Sequence, residues 1–408
     1  MEKTIALIAS LDTKMKETMY AAEIIRQNGF KTYVIDISTK TLMKEGADIN
    51  PVEILERFGI SWEDFDPLGK AASIDIMGKA MAKVVPELYS EGKFDAVISI
   101  GGGQNAKMAA TAMKALPFGV PKIVASSLAC GKRTMEQYVG DKDIMVMHTV
   151  ADISGLNAIT KTVIQSVCAA AMGMAAYGKV FETDPGKKVL GTTMLGITTK
   201  GTERAIHIIE ENSSIEGVVF HANGVGGRCM ENLIREKRID LVLDMNLHEI
   251  SGEILHCYCS GANNRLLTAI ENKIPMVVVP GALDMVDYFV DEQGNGLPDN
   301  IDQRKKVYHN SNVCHCKVFK EEAVQLAAVV SERLNRVESP VTLVIPTKGC
   351  CEAAAPGGPM YDPEVDEAMV NTFKKNINDH VKLVIVEGNI NDQSFSETVA
   401  QEVLLLTK

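Results

Sequence analysis

Ten short, mostly apolar runs, many rich in Val and Ile, are separated along the chain by segments of helical periodicity. They are Thr4–Ile8, Lys31–Ile37, Ala96–Ile100, Lys122–Ala125, Val189–Leu195, Gly217–His221, Leu241–Met245, Met276–Val279, Val341–Ile345 and Lys382–Val386. A run apolar at every position suits a strand covered on both faces, and intervening helices supply the crossovers that parallel pairing needs. The pattern predicts an α/β protein with open, mostly parallel, doubly wound sheets.

The pattern also repeats. "TIALIASLDTKMKETMYAAEIIRQNGFKTYVID" from Thr4 is echoed by "LGTTMLGITTKGTERAIHIIEENSSIEGVVFHA" from Leu190. Each reads as a strand, a turn ending in Thr-Lys, an amphipathic helix and a second strand. "FDAVISIGGG" parallels "IDLVLDMNLH", and "GVPKIVASSLA" parallels "KIPMVVVPGAL". Three matches in one order predict two related domains, 1–184 and 185–408, parting within "FETDPGKK" at 181–188. A chain of 408 residues exceeds one ordinary core. A cleft between the domains, lined by turns after strand C-termini, is the expected ligand position.

Composition narrows the function. The chain is 46% hydrophobic and 23% charged, which excludes bulk disorder, and its net charge of −11 argues against direct nucleic-acid binding. "MEKTIALIASLDTK" lacks a basic stretch followed by a long apolar one, and the nine cysteines follow no regular framework. Both point to a cytoplasmic protein with free thiols. The uncharged "VIQSVCAAAMGMAAYG" at 163–178 reads as a buried helix packed through Ala and Gly, at a domain or subunit contact, rather than a membrane span.

The chemistry-bearing residues cluster after predicted strands. In "SIGGGQNAKMAATAMKAL", 99–116, Gly101, Gly102 and Gly103 precede a helix start, where backbone N–H groups favour an anion. This is not a Walker loop, which would need glycine at Ala106 and a hydroxyl at Met108. A tight turn without ligand is the bland alternative. Gln104 and Asn105 offer amide donors to phosphate. In "SLDTK", Asp12 or Thr13 can cap the next helix and Lys14 can reach a phosphate. In "ASSLACGKR", Ser126, Ser127 and Gly131 are candidate ribose or phosphate contacts.

The second half offers "FHANGVGGRCMENLI", in which Gly224, Gly226 and Gly227 precede a helix carrying Arg228, a set suited to a carboxylate or phosphate. His221, His248, Glu249 and Asp284 are candidate proton-transfer groups, and His309 and Asn310 candidate substrate contacts. Each has an ordinary alternative as a hydrogen-bonded structural residue. "HCYC" at 256–259 and "CHC" at 314–316 are spaced more tightly than zinc knuckles, so no metal is expected, and the sequence does not say whether they meet.

Taken together, "LIASLDTK", "GVPKIVASSLACG", "YVGDKDIMVMHTVADISGLN", "LGTTMLGITT", "FHANGVGGRCMENLI", "PGALDMVDYF" and "NINDQSF" resemble the Tm-one-like ATP-binding family, an uncharacterised one. The resemblance covers essentially the whole chain. It implies two Rossmann-like domains, ATP as the ligand of the first, and a homodimer; it implies no reaction. Where the family reads Gly-Gly-Ser-Gly-Gly-Thr, this chain reads Gly101, Gly102, Gly103, Gln104, Asn105 and Ala106. The expectation is a small-molecule-binding protein holding ATP or a related phosphorylated ligand on Gly101–Gly103 and Gln104, with Lys14 and Ser127 assisting. Catalysis on a small carboxylated or phosphorylated metabolite in the cleft is one extension; a non-catalytic binding module is the other.

Overall fold

All ten apolar runs form strands, and four further strands join them among the described residues. The computed structural model describes residues 2–130, 134–178, 184–260, 263–291, 293 and 295–407. Their contacts divide the chain into two units, Met1–Glu182 and Thr183–Lys408.

The first unit contains β1 (Thr4–Ala9), β2 (Lys31–Asp36), β3 (Ala96–Gly101), β4 (Lys122–Ser126) and β5 (Met145–His148). They form one sheet in the order β2-β1-β3-β4-β5, with every neighbouring pair parallel. Alternation along β1 sends Ile5, Leu7 and Ala9 into the core of one face and Ala6 and Ile8 into the other. The first face is covered by helices Leu11–Gln27 and Ala158–Tyr177, the second by Lys70–Ser90 and Gly103–Lys114. Strand order reverses between β1 and β3, so the crossovers diverge there and leave a crevice at the strand C-termini.

Among the described residues, one helix, Ala158–Tyr177, is long and apolar enough to cross a membrane. Val163, Ile164, Val167, Cys168 and Ala171 bury one of its faces against the sheet. Its start is fixed by a reciprocal cap: Asn157 Oδ1 accepts from Thr160 N, and Thr160 Oγ1 accepts from Asn157 N.

The second unit has β6 (Lys188–Met194), β7 (Ile215–His221), β8 (Leu241–Asp244) and β9 (Met276–Val278). An antiparallel insert follows, made of β10 (Met285–Phe289), β11 (Lys306–Asn310) and β12 (Val313–Lys317) in the order β10-β12-β11. Then β13 (Val341–Pro346) and β14 (Lys382–Val386) complete a parallel sheet ordered β14-β13-β9-β8-β6-β7. Read from β7, that order repeats the first unit and adds one strand. The chain is thus two Rossmann-like α/β domains of shared winding.

Candidate functional site

In the first domain the turns after β1, β2, β3 and β4 surround a pocket of about 1010 Å³ at the switch point. Ser10, Asp12, Thr13 and Lys14 line it from β1, Thr39 and Lys40 from β2, Gly102–Asn105 from β3, and Ser127 and Leu128 from β4. Lys70, Lys107, Ile74 and Met108 project from the covering helices. This volume lies at the upper end of small-molecule sites.

Three helices begin at the pocket, one of them at Lys70, and the backbone donors of the two that follow β1 and β3 have different fates. After β1, Leu11 N donates to Asp36 Oδ1 at 3.0 Å and Asp12 N to Ser38 Oγ at 3.0 Å. Thr13 N and Lys14 N return to the Ser10 carbonyl. That end is satisfied from within. Burial pushes the Asp36 carboxyl upward, against the hydrogen bonds from Ser38 and Leu11. After β3, helix Gly103–Lys114 starts at Gly102 with no side-chain cap. Among the described residues nothing accepts from the N–H groups of Gly103, Gln104 or Asn105.

Several predicted residues take other duties. Asn105 is 5% exposed; its Oδ1 accepts from Ser10 N and its Nδ2 donates to Ser99 Oγ, both at 2.8 Å. Its amide therefore ties β1 to β3 and only its main chain faces the ligand space. Ser126 is buried and its Oγ accepts from Leu128 N, so it shapes the turn after β4. Asp12 and Thr13 sit inside the first helical turn and cap nothing; the cap position belongs to Ser10. Lys14 Nζ donates to the Ile153 carbonyl at 2.5 Å while lining the pocket. Ser127 Oγ donates to Asp152. Gln104 is exposed at the mouth. Gly131 lies outside the described residues.

The second domain treats its switch point, between β6 and β8, in the opposite way. Arg265, wholly buried, inserts its guanidinium between Asp244 at the end of β8 and Glu249 in helix His248–Leu255. Thr193 Oγ1, near the end of β6, donates to Asp244 Oδ1 at 2.6 Å. Glu249 Oε1 then accepts from Gly224 N at 2.6 Å and Gly227 N at 3.0 Å. The predicted anion cradle is filled by a carboxylate of the chain itself. A Cβ on Gly227 would fall 1.8 Å from Glu249 Oε2, so that close approach demands glycine. Glu249 is accordingly a holder of this turn, not a proton-transfer group. Glu231 stands at the edge of the cluster. Burial pushes its carboxyl up to about 7 despite Arg265, whose guanidinium is already shared by Asp244 and Glu249.

Asp284 belongs to a separate buried cluster. Its Oδ2 and Asp366 Oδ1 each lie 2.7 Å from Lys317 Nζ. Burial pushes Asp366 up to about 6, with Lys317 opposing. For Lys317, burial works against the ammonium and the two carboxylates outweigh it. Asp284 is thus held in an ion pair with Lys317, apart from His221, His248 and Glu249. His221 is exposed at the end of β7, and Arg228 is half-buried in the helix after the glycine turn, whose Gly226 packs against the His221 carbonyl. His309 and Asn310 are exposed on β11, and the His309 ring centroid lies 5.2 Å from that of His315.

One residue from each cysteine segment, Cys259 and His315, reaches Asp287 on β10, while Cys314 and Cys316 alternate onto the other face of β12, opposite Tyr288 and Val286. Asp287 pairs with His315 of β12, whose Nδ1 lies 2.5 Å from Asp287 Oδ1. Cys259 Sγ lies 3.8 Å from Asp287 Oδ2, and buried His248 places Nε2 3.2 Å from the same oxygen. Burial disfavours a charged His248, but Asp287 more than offsets it and holds its pKa well above the usual range. Burial also opposes the Asp287 charge, and His248 and His315 outweigh it, lowering that carboxyl. Neither Arg265 nor Asp287 stands out in the sequence. Arg265 is visible only as a cation directly before the apolar "LLTAI", and Asp287 as an acid inside a strand-like run.

The family model described as the uncharacterised protein family (UPF0261) N-terminal domain matches residues 3–179, and the C-terminal domain model matches 187–407. A UPF0261 protein of Clostridium tetani is 36% identical over 99% of both chains. The ToMV resistance protein Tm-1(GCR237) of Solanum lycopersicum is 30% identical over 97% of this chain and 55% of its own. The chain therefore spans about half the length of that tomato relative. Among solved structures, Acinetobacter baumannii MurG aligns over 99% of each chain at 11% identity and a TM-score of 0.24, an overlap too loose to carry an argument.

Proposed function

This chain belongs to the uncharacterised protein family UPF0261, and we propose that its first domain binds ATP or a closely related nucleotide at the β1/β3 switch point. The observation that carries the reading is the trio of unclaimed N–H groups on Gly103, Gln104 and Asn105, opening a twelve-residue helix into the pocket. A helix start with open donors attracts phosphate oxygens by hydrogen bonding and by its dipole. Lys14, Lys40, Lys70 and Lys107 supply positive charge around it, and Ile74, Met108 and Leu128 give an apolar wall for a base. Gln104 replaces a backbone-only contact with an amide donor at the mouth.

Calorimetric titration of ATP, ADP, AMP and NAD tests this on wild type and on Gln104→Glu. Wild type is expected to bind ATP. The carboxylate introduced by the substitution would favour the helix start by roughly 0.3–1 kcal/mol while repelling phosphate, so affinity falls at least about tenfold without loss of thermal stability. Absence of binding by wild type, or unchanged affinity in the variant, refutes the proposal.

A binding role without turnover is the reading of this site we favour over catalysis. Among the described residues lining the pocket there is no histidine or cysteine, and of its carboxylates, Asp12 and Asp152, the latter already accepts from Ser127. Phosphate release from ATP with magnesium is expected to stay at the buffer rate. Turnover abolished by Asp12→Asn would assign an enzyme instead.

A further inference from the structure

The cluster around Asp287 is used neither by the nucleotide reading nor by the packing of the sheet. His248 Nε2 and Asp287 Oδ2 are 3.2 Å apart, Cys259 Sγ and that oxygen 3.8 Å, and the three donors lie within 4.8 Å of one another. Tetrahedral coordination with metal–nitrogen and metal–oxygen distances of about 2.0–2.1 Å and metal–sulfur of about 2.3 Å separates nitrogen from oxygen by about 3.3 Å, and sulfur from oxygen by about 3.6 Å. The nitrogen–oxygen and sulfur–oxygen spacings match two edges of such a polyhedron to within about 0.2 Å.

The histidine is oriented for it. Nδ1 lies 3.3 Å from the Ala282 carbonyl, which can only accept, and 3.2 Å from Ser251 Oγ, whose own hydrogen has the His248 and Met285 carbonyls at 2.7 Å, so Nδ1 is the ring nitrogen placed to donate. Nε2 then faces the cluster from a fully buried ring and has no hydrogen-bond partner, although the carboxylate is near. The other two donors are pinned as well. Tyr258 N donates to the Asp287 carbonyl at 3.0 Å, and a Cβ on Gly252 would sit 2.6 Å from the Cys259 carbonyl carbon, so helix and turn are in direct contact. His315 holds the second oxygen of Asp287.

We propose that the second domain binds one zinc-type divalent ion through His248 Nε2, Cys259 Sγ and Asp287 Oδ2, with His315 as a positioning residue on the carboxylate. One thiolate, one imidazole and one carboxylate form a borderline-soft set that favours zinc over magnesium or calcium. Three protein ligands leave a fourth position for water or an anionic ligand, the arrangement of open rather than closed zinc sites. The sequence conceals the site because each Cys-x-Cys pair contributes at most one ligand, the others coming from His248 and Asp287. The proposal does not depend on nucleotide binding.

The test uses the full chain purified without chelator, then stripped and titrated with cobalt(II). About one zinc per chain is expected as purified, and cobalt should give tetrahedral visible bands with a thiolate charge-transfer band. Cys259→Ser should abolish that band and weaken binding at least tenfold. His315→Ala should keep the band and weaken binding by roughly 10–100-fold; Cys314→Ser should change neither. Should Cys259→Ser fail to fold, X-ray absorption of the zinc-loaded wild type decides, with one sulfur among the ligands expected. A stripped chain giving no cobalt spectrum, a thiolate band surviving in folded Cys259→Ser, or zinc bound by no sulfur or by several, would each overturn it.

Discussion

The two domains wind alike and part ways at their switch points. In the first, the helix after β3 opens with three unclaimed N–H groups into a pocket of about 1010 Å³. In the second, Arg265, Asp244 and Glu249 occupy that place, and Glu249 consumes the glycine-turn donors. Asn105 bridges Ser10 to Ser99 through its side chain, while Asn246, which aligns with Gly101, receives His248 N on Oδ1 and donates its main-chain N–H to Thr193 Oγ1. A glycine-rich strand-to-helix turn is thus an anion site only if no carboxylate of the chain reaches it first. The richer glycine motif, at Gly224–Gly227, is the filled one.

The largest effect should follow from emptying the filled site. Arg265→Met strands Asp244 and Glu249 as buried charges, which typically costs about 3–5 kcal/mol. Hydrogen exchange should show lost protection across β6–β9, with the first-domain strands unchanged. A uniform change across both domains would contradict the separate roles given to them.

Next comes a matched pair of glycines. Gly227→Ala drives a Cβ into Glu249 and Arg265 and should cost about 1–3 kcal/mol or more by urea denaturation. Gly102→Ala has nothing within 4 Å of its Cβ at φ −73°, and should change stability by less than about 0.5 kcal/mol. Equal losses would mean the first-domain turn is as tightly filled as the second.

A further contrast lies in the pH profile. Glu231 is raised from 4.5 to about 7 in the folded chain, so the folded state keeps a proton that the unfolded state has released. Stability from this group is full below about pH 4.5 and is lost as pH rises through about 7. Glu231→Gln should remove that fall, so the wild-type-minus-variant difference slopes downward with pH over this window. A flat difference in chemical-denaturation midpoints would show that Arg265 neutralises Glu231 after all.

The parallel strands were legible because they are apolar on both faces, and the repeat of "TIALIASLDTK" in "LGTTMLGITTK" carried the shared winding. Strand β5 and the insert β10–β12 were not, because Met145–His148, Lys306–Asn310 and Val313–Lys317 mix exposed and polar positions among their apolar ones. The first-domain pocket was legible as a cluster of turns, since the switch-point rule places ligands there. What each donor does was not. The inward bonds of Asn105, the reach of Glu249 back to Gly224 and Gly227, and the insertion of Arg265 depend on side-chain directions across 16 to 95 residues of sequence. Local spacing holds no record of them.

The contrast between an open and a filled switch point is tested most directly by amide hydrogen exchange of the wild-type chain with and without saturating ATP. Slowed exchange is expected at Gly103, Gln104 and Asn105, with no change at Gly224–Gly227. Slowing at Gly224–Gly227 with none at Gly103–Asn105 would contradict it.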